Sequence, residues 1–288
     1  MKVLITGASG QVGRILCREA PSGVTVVGYS HKDLDVTDAN AVDAHVREQA
    51  PDIIINAAAY TAVDRAETEV DLAHNINAKG PRYLASAAHA IGARLIQIST
   101  DFVFDGTSSV PYRTDAATHP LSTYGKSKLA GEHAVLEILP ARSVVLRTAW
   151  VYAAEGNNFV RTMLRVMKAS GSVRVVADQV GTPTAARSLA RTLWWIAGES
   201  QLTGVHHWTD AGVASWYDFA VAIAEEGAQL GLVTDAVTVT PIATHEYPTP
   251  ARRPSYSVLD KQTLTALGVA PLHWRKSLRG VLEEMANA

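Results

Sequence analysis

Three glycines spaced three apart, Gly7, Gly10 and Gly13, end a short apolar run and open a helical pattern. No other feature constrains the chain as strongly. Val3 to Ile5 is apolar at successive positions, as in a parallel strand buried on both faces. Gly7 permits a sharp turn out of that strand, and Gly10 lets backbone amides approach a ligand unobstructed. Gly13 lets the following helix pack close to the sheet. Free N–H groups and the dipole at a helix start favour an anion, most simply a pyrophosphate. A glycine triplet alone is weak, because a tight turn also uses one. Here the strand before it and the helix after it agree with a dinucleotide site.

The composition bounds the remaining classes. At 288 residues, 47% hydrophobic and 19% charged, the chain can bury a sizeable core as one large domain or as a large and a small one. A net charge of -2 gives no electrostatic case for nucleic acid or a membrane surface. Cys17 is the single cysteine and reads as a small buried hydrophobe. No apolar run is long enough to span a bilayer, and the first residues lack a signal-peptide layout. A reduced, cytoplasmic enzyme is the expectation.

Val24 to Tyr29 reads as a second strand, whose end tests the adenosine ribose in a dinucleotide fold. It runs into Ser30-His31-Lys32 with no carboxylate before Asp33. Acidic residues there select NAD, and cationic or small polar ones tolerate a 2′-phosphate, so NADPH is preferred and NADH is the second choice. Arg14 is a further candidate cation, and a solvated basic loop is the competing reading. Asp38 is placed to cap a helix through Gln49. A third buried strand then runs into Asn56-Ala57-Ala58-Ala59, small residues that leave room for a flat ligand. A helical pattern spans about Val70 to Ile91, and its Asn77 is either a bridge to a strand or a locally satisfied polar group. A fourth strand ends in Ser99 and Thr100, on the edge of the sheet where ligands bind.

Tyr124 and Lys128 are four residues apart and share a helix face. A free tyrosine has a pKa near ~10, and a nearby ammonium lowers it, which suits a phenol that supplies a proton during carbonyl reduction. Thr100 would hold the carbonyl oxygen. By itself the pair also fits a surface tyrosine packed on a lysine stem. Its position after the glycine turn and the Ser99-Thr100 strand end favours chemistry.

In the second half, Trp150 lies just past the strand Val144 to Arg147, as a pocket wall or a core tryptophan. Arg252 and Arg253 suit a sugar-nucleotide diphosphate or are solvated charge. Adjacent His206 and His207 point to opposite strand faces, so they make a poor metal pair, and no metal site is expected. Ser215 is placed to cap a helix from Trp216 to Gly231, and a last helix is expected over Ser277 to Ala286.

The ordered set Thr6–Gly13, Asn56–Ala59, Ser99–Asp101 and Tyr124-x-x-x-Lys128 resembles the extended short-chain dehydrogenase/reductases. Within them the chain is most similar to the dTDP-4-dehydrorhamnose reductase family. The stretches that carry this are Asn56–Asp64, Ser99–Gly106, Tyr124–Glu132, Arg147–Tyr152, Gly156–Phe159, Asp178–Thr184 and Ala251–Pro254, spread over essentially the whole chain. The resemblance implies an α/β fold: a Rossmann-type doubly wound parallel sheet with a smaller, interleaved C-terminal substrate domain. The division expected is 1–148 plus about 185–212 for the dinucleotide, and about 149–184 plus 213–288 for the sugar nucleotide.

By the same resemblance Tyr124, Lys128 and Thr100 are catalytic. Gly7, Gly10, Gln11, Val12, Ser30, His31, Lys32, Asp35, Val36, Ala58, Ala59, Tyr60, Thr61 and Ser99, with Tyr124 and Lys128, contact the cofactor. Thr100, Asp101, Trp150, Asn158 and Arg253 contact a dTDP-sugar. The implied reaction is reduction of the C4 ketone of dTDP-4-dehydro-L-rhamnose. Rival readings are another nucleotide-sugar 4-keto reductase or epimerase, and a non-catalytic regulatory subunit of the methionine adenosyltransferase type. A dehydratase is disfavoured because Phe102, and not an acid, follows Asp101. Two departures stand out. Phe102 occupies a position where relatives often carry tyrosine, and Ile15 one where some carry a glutamate of a metal-linked dimer. A monomer or weak homodimer is expected.

Overall fold

Six strands, all parallel, form the central sheet of the computed structural model, which describes all 288 residues. Their order is Gly204–His207, Ser143–Thr148, Arg94–Thr100, Ile53–Asn56, Lys2–Thr6 and Thr25–Tyr29. The interior strands Ile53–Asn56 and Ser143–Thr148 are buried at every position, because helices cover both faces. Alternation then sorts the side chains. Val3, Ile5, Ile55, Ile96 and Leu146 pack with helices Gln11–Arg18 and Ala186–Gly198. Leu4, Ile54, Leu95 and Val145 pack with helices Ala39–Gln49, Gly80–Ile91 and Thr123–Ile138.

From Lys2–Thr6 the chain first builds outward to Thr25–Tyr29, then crosses back to Ile53–Asn56 on the other side. Strand order therefore reverses between the first and third strands, and a ligand crevice opens there at the carboxyl ends.

A second core gathers Tyr152, Val160, Leu164, Phe219, Ile223, Trp274 and Leu278. It lies among helices Phe159–Ser170, Trp216–Gln229 and Trp274–Ala286, beside the parallel pair Ser172–Val176 and Thr238–Ile242. Between its segments the chain returns to the main sheet through Ala186–Gly198 and Gly204–His207, so the two cores interleave.

Local signals explain the boundaries. Asp38 accepts from Asn40 and Ala41 to cap its helix, and Ser215 and Asp218 form a reciprocal capping box before Trp216. The last helix begins at Trp274, earlier than the expected Ser277, because His273 accepts from the Arg275 amide and Trp274 is buried in the second core. The expected helix over 70–91 is not uniform, since a π-helical turn occupies Asn75–Lys79. Pro81 has no N–H to give the Asn77 carbonyl, and that oxygen instead rests against Gly131, where a Cβ would lie only 2.1 Å away. No helix is long and apolar enough to cross a membrane.

Candidate active site

The glycine turn is held by contacts only a glycine allows. Gly7 has φ 69°, and a Cβ there would lie 2.6 Å from the Ala58 nitrogen and 2.7 Å from the Ala57 oxygen. At Gly13 a Cβ would lie 2.1 Å from the Gly7 oxygen. Gly10 leads the helix and no side chain caps it, so the amides of the first turn, Gln11 and Val12 among them, are free for an anion. Residues and geometry thus fit a dinucleotide pyrophosphate.

The Ala8 amide donates to the Tyr29 carbonyl at 2.9 Å, which brings Ser30, His31 and Lys32 beside this turn. Asp33 intervenes: its carboxylate accepts from the Ser30 amide and hydroxyl at 2.9 and 2.6 Å, bonds that hold its pKa below the usual carboxylate range. His31 and Lys32 stay exposed. Arg14 is already engaged by the Ser9 carbonyl at 2.7 Å and Glu155 at 2.9 Å. Asp35 accepts from Thr37, and Val36 is buried against the opposite helix layer.

A buried polar chain crosses the crevice floor. Thr6 Oγ1 donates to Asn56 Oδ1 at 2.6 Å, and Asn56 Nδ2 donates to Gln97 Oε1 at 2.7 Å. Beyond it, Ala58 to Thr61 form the loop under the crevice. Asn77 holds that loop, accepting from the Tyr60 amide at 2.9 Å and donating to the Tyr60 carbonyl and to Ser127 Oγ, both at 3.0 Å. The bridging alternative for Asn77 is the one the fold adopts, and its target is a loop.

The structure brings Thr100, Tyr124 and Lys128 to the carboxyl end of the sheet. Ser122 caps the helix that carries Tyr124 and Lys128, and Phe102 meets the Tyr124 ring edge-on with centroids 5.5 Å apart. Thr100 Oγ1 donates to Asp101 Oδ1 at 3.1 Å. Burial raises the Asp101 carboxyl to about 6, and its Oδ2 has no partner. Lys128 Nζ donates to the Ile98 carbonyl at 2.7 Å, and burial lowers its pKa to about 8 while Glu132 opposes the shift.

Tyr124 differs from the expectation of a lowered pKa. Burial pushes the phenol up to about 12; Thr100 pulls it back and Asp101 adds to the rise. Sharing a helix face did not make Lys128 its electrostatic partner, because the ammonium is drawn to Ile98. Tyr124 is therefore a phenol across the neutral range.

Behind these groups lies a network that sequence patterns did not reveal. Ser99, Arg147 and His207 are register neighbours on three adjacent strands. Glu132, one turn beyond Lys128, accepts from Ser99 Oγ and from Arg147 at 2.7, 3.0 and 3.2 Å. Arg147 and Glu132 are almost completely buried. Burial and Arg147 lower the His207 pKa to about 3, so its ring is neutral, with Nδ1 3.1 Å from the Tyr112 carbonyl. Only the fold shows that Glu132 and Arg147 face each other.

The candidate substrate residues are spread around the mouth. Asn158 caps Phe159–Ser170 and donates to Gln11 Oε1 at 2.8 Å, joining that helix to the glycine turn. Trp150 follows the strand Ser143–Thr148 and stacks on Trp216. Arg253 is held by Asp64 through two bonds of 3.1 and 2.8 Å, whereas Arg252 is exposed.

The family described as RmlD substrate binding domain matches residues 1–287. The dTDP-4-dehydrorhamnose reductase of Aggregatibacter actinomycetemcomitans is 41% identical, over 97% of this chain and 98% of its own length. The chain belongs to this reductase family. The spore coat polysaccharide biosynthesis protein SpsK of Bacillus subtilis is likewise 41% identical, over 100% of this chain and 99% of its own. A crystal structure of the Bacillus anthracis dTDP-4-dehydrorhamnose reductase in complex with NADP is 38% identical with a TM-score of 0.92. It covers 98% of this chain and 99% of its own.

Membership makes the chain an oxidoreductase with a Rossmann-type sheet. Ile15 is buried in the main core. A cavity of about 740 Å³ is lined by none of Thr100, Tyr124 and Lys128. It lies between helices Ala186–Gly198 and Trp274–Ala286, across the sheet from the helix of Tyr124 and Lys128.

Proposed function

We propose that the chain reduces the C4 ketone of dTDP-4-dehydro-L-rhamnose to dTDP-L-rhamnose, using NADPH in preference to NADH. The observation that carries this reading is the convergence of Thr100, Tyr124 and Lys128 beside an uncapped glycine turn. Family membership supports the substrate class. The division proposed is 1–148 plus about 185–212 for the dinucleotide and about 149–184 plus 213–288 for the sugar nucleotide.

A bound reduced nicotinamide supplies the hydride. The amides of Gln11 and Val12 bind its pyrophosphate, Gly10 leaving them room, and Ala58, Ala59, Tyr60 and Thr61 line the groove. Exposed Lys32 and His31 meet a 2′-phosphate, the basis for preferring NADPH. Thr100 turns its hydroxyl from Asp101 to the ketone oxygen and orients it. Tyr124, a phenol at neutral pH, gives its proton to that oxygen as negative charge develops there. Lys128, held at the Ile98 carbonyl, binds the ribose of the cofactor. Asp101, Trp150, Asn158 and Arg253 surround the sugar nucleotide, Arg253 presenting to the diphosphate any donors not used by Asp64.

The test is to mix purified protein with NADPH and enzymatically generated dTDP-4-dehydrorhamnose. Loss of the reduced-nicotinamide absorbance and formation of dTDP-rhamnose are expected. No turnover with either cofactor would refute the assignment.

A further inference from the structure

We infer that Gly181 and Trp216 are positioning residues that clamp the Trp150 indole into a fixed wall of the sugar-nucleotide pocket. The inference deepens the proposed function and rests on it for the identity of the ligand.

Trp150 has φ 49°, and only one other non-glycine residue, Ala50, has a positive φ. Ala50 ends a helix, where a left-handed residue is ordinary. A bulky aromatic residue in that region is strained and persists only where its surroundings over-determine it. Three contacts do so here. The Trp150 carbonyl accepts from the Thr184 amide at 3.2 Å. The Trp216 ring stacks on the indole with centroids 3.5 Å apart and planes 6° from parallel. Gly181 lies against the same indole, such that a Cβ would be 2.7 to 2.9 Å from three of its ring atoms.

Gly181 is not among the residues with a left-handed φ, so its missing side chain makes room for the ring and serves no turn. Both partners come from one piece of structure. Val180–Gly181 pairs antiparallel with Ala214–Ser215, and Ser215 caps the helix that Trp216 begins. Phe159 braces the far partner, with its ring 4.7 Å from that of Trp216. The clamped ring follows Thr148 by two residues, and Thr148 is the register partner of Thr100. A wall set this way fixes where the sugar nucleotide lies relative to Thr100. Its displacement should weaken capture of the sugar nucleotide more than binding of the dinucleotide.

The test compares wild type, Gly181→Ala, Trp216→Ala and Trp216→Phe in steady-state assays with the ketone, alongside calorimetric binding of dTDP-glucose and of NADPH. For Gly181→Ala and Trp216→Ala, KM for the ketone and Kd for dTDP-glucose should rise by about ten- to a hundred-fold, the scale of a misplaced binding group. Affinity for NADPH should stay within about two-fold, and Trp216→Phe should restore most of the loss. Unchanged KM and Kd in Gly181→Ala would overturn the inference. So would a parallel loss of NADPH affinity, kcat and thermal midpoint, the mark of a merely structural role, or failure of the wild type to bind dTDP-glucose. Should wild type bind dTDP-glucose but not reduce the ketone, only the proposed reaction fails, and the binding comparison still decides the role of the clamp.

Discussion

Lys128 Nζ donates to the Ile98 carbonyl across 2.7 Å, which ties the helix of Tyr124 to the strand that ends in Thr100. The two groups proposed to meet the ketone oxygen are thus referenced to each other by a buried cation. The same bond explains why Lys128 leaves no mark on the Tyr124 pKa.

Replacing Tyr124 by phenylalanine preserves the ring that Phe102 meets and removes the proton. We expect kcat/KM to fall by about 10²- to 10⁴-fold, a far larger loss than any change in the Kd for NADPH in a fluorescence titration. A variant retaining half the wild-type activity would eliminate Tyr124 as the donor.

The lowered Lys128 pKa has a stability signature. Between about 8 and the ordinary 10.5, the unfolded chain carries more protons on this lysine than the folded one does. The Lys128 contribution to stability therefore rises with pH across that window and is constant below it. Urea midpoints of wild type minus Lys128→Met, measured at both ends of the window, should show this rise. A flat difference would mean that Lys128 is not held in a charge-disfavouring site.

Glu132 and Arg147 balance each other in the dark behind the strand ends. Glu132→Leu leaves a buried guanidinium unpaired and should cost about 3–5 kcal/mol in urea denaturation. Glu132→Leu combined with Arg147→Met should recover most of that loss. Equal destabilisation by the single and double changes would show that the pair is not coupled.

At Gly7, alanine meets both an unfavourable φ and the Ala57–Ala58 backbone. Gly7→Ala should lose more than about 1 kcal/mol of stability, and should weaken NADPH binding because the anion-binding turn moves. Unaltered calorimetric binding would contradict the role given to the turn.

Lys32 is the exposed cation we propose to meet a 2′-phosphate. Lys32→Ala should lower kcat/KM for NADPH by about ten-fold and leave NADH unaffected, the size of one charge-assisted contact. Equal changes with both cofactors would dismiss the preference.

The sequence makes the sheet and the glycine turn legible because each depends on neighbours in the chain. Buried apolar runs mark strands, and a missing Cβ marks a turn. Tyr124 and Lys128 are also legible, since helical periodicity places them on one face. What the sequence conceals are partners brought together by strand order. Ser99, Arg147 and His207 become neighbours only when their strands adjoin, and Glu132 meets them only through helix packing. The sign of the Tyr124 shift was hidden for the same reason, as burial outweighs sequence proximity to a charge. The π-helical turn is different: Pro81 signals it locally, and the apolar periodicity around it masks the signal.

The pair formed by Asp64 and Arg253 joins residues 189 positions apart. During synthesis, the short helix that carries Asp64 emerges long before the guanidinium that will hold it. A chain that stops short of residue 253 contains every strand of the main sheet, yet its Asp64 lacks that tie. Completion of this tie thus waits on the C-terminal segment, so truncated chains should hold the turn of Asp64 less firmly.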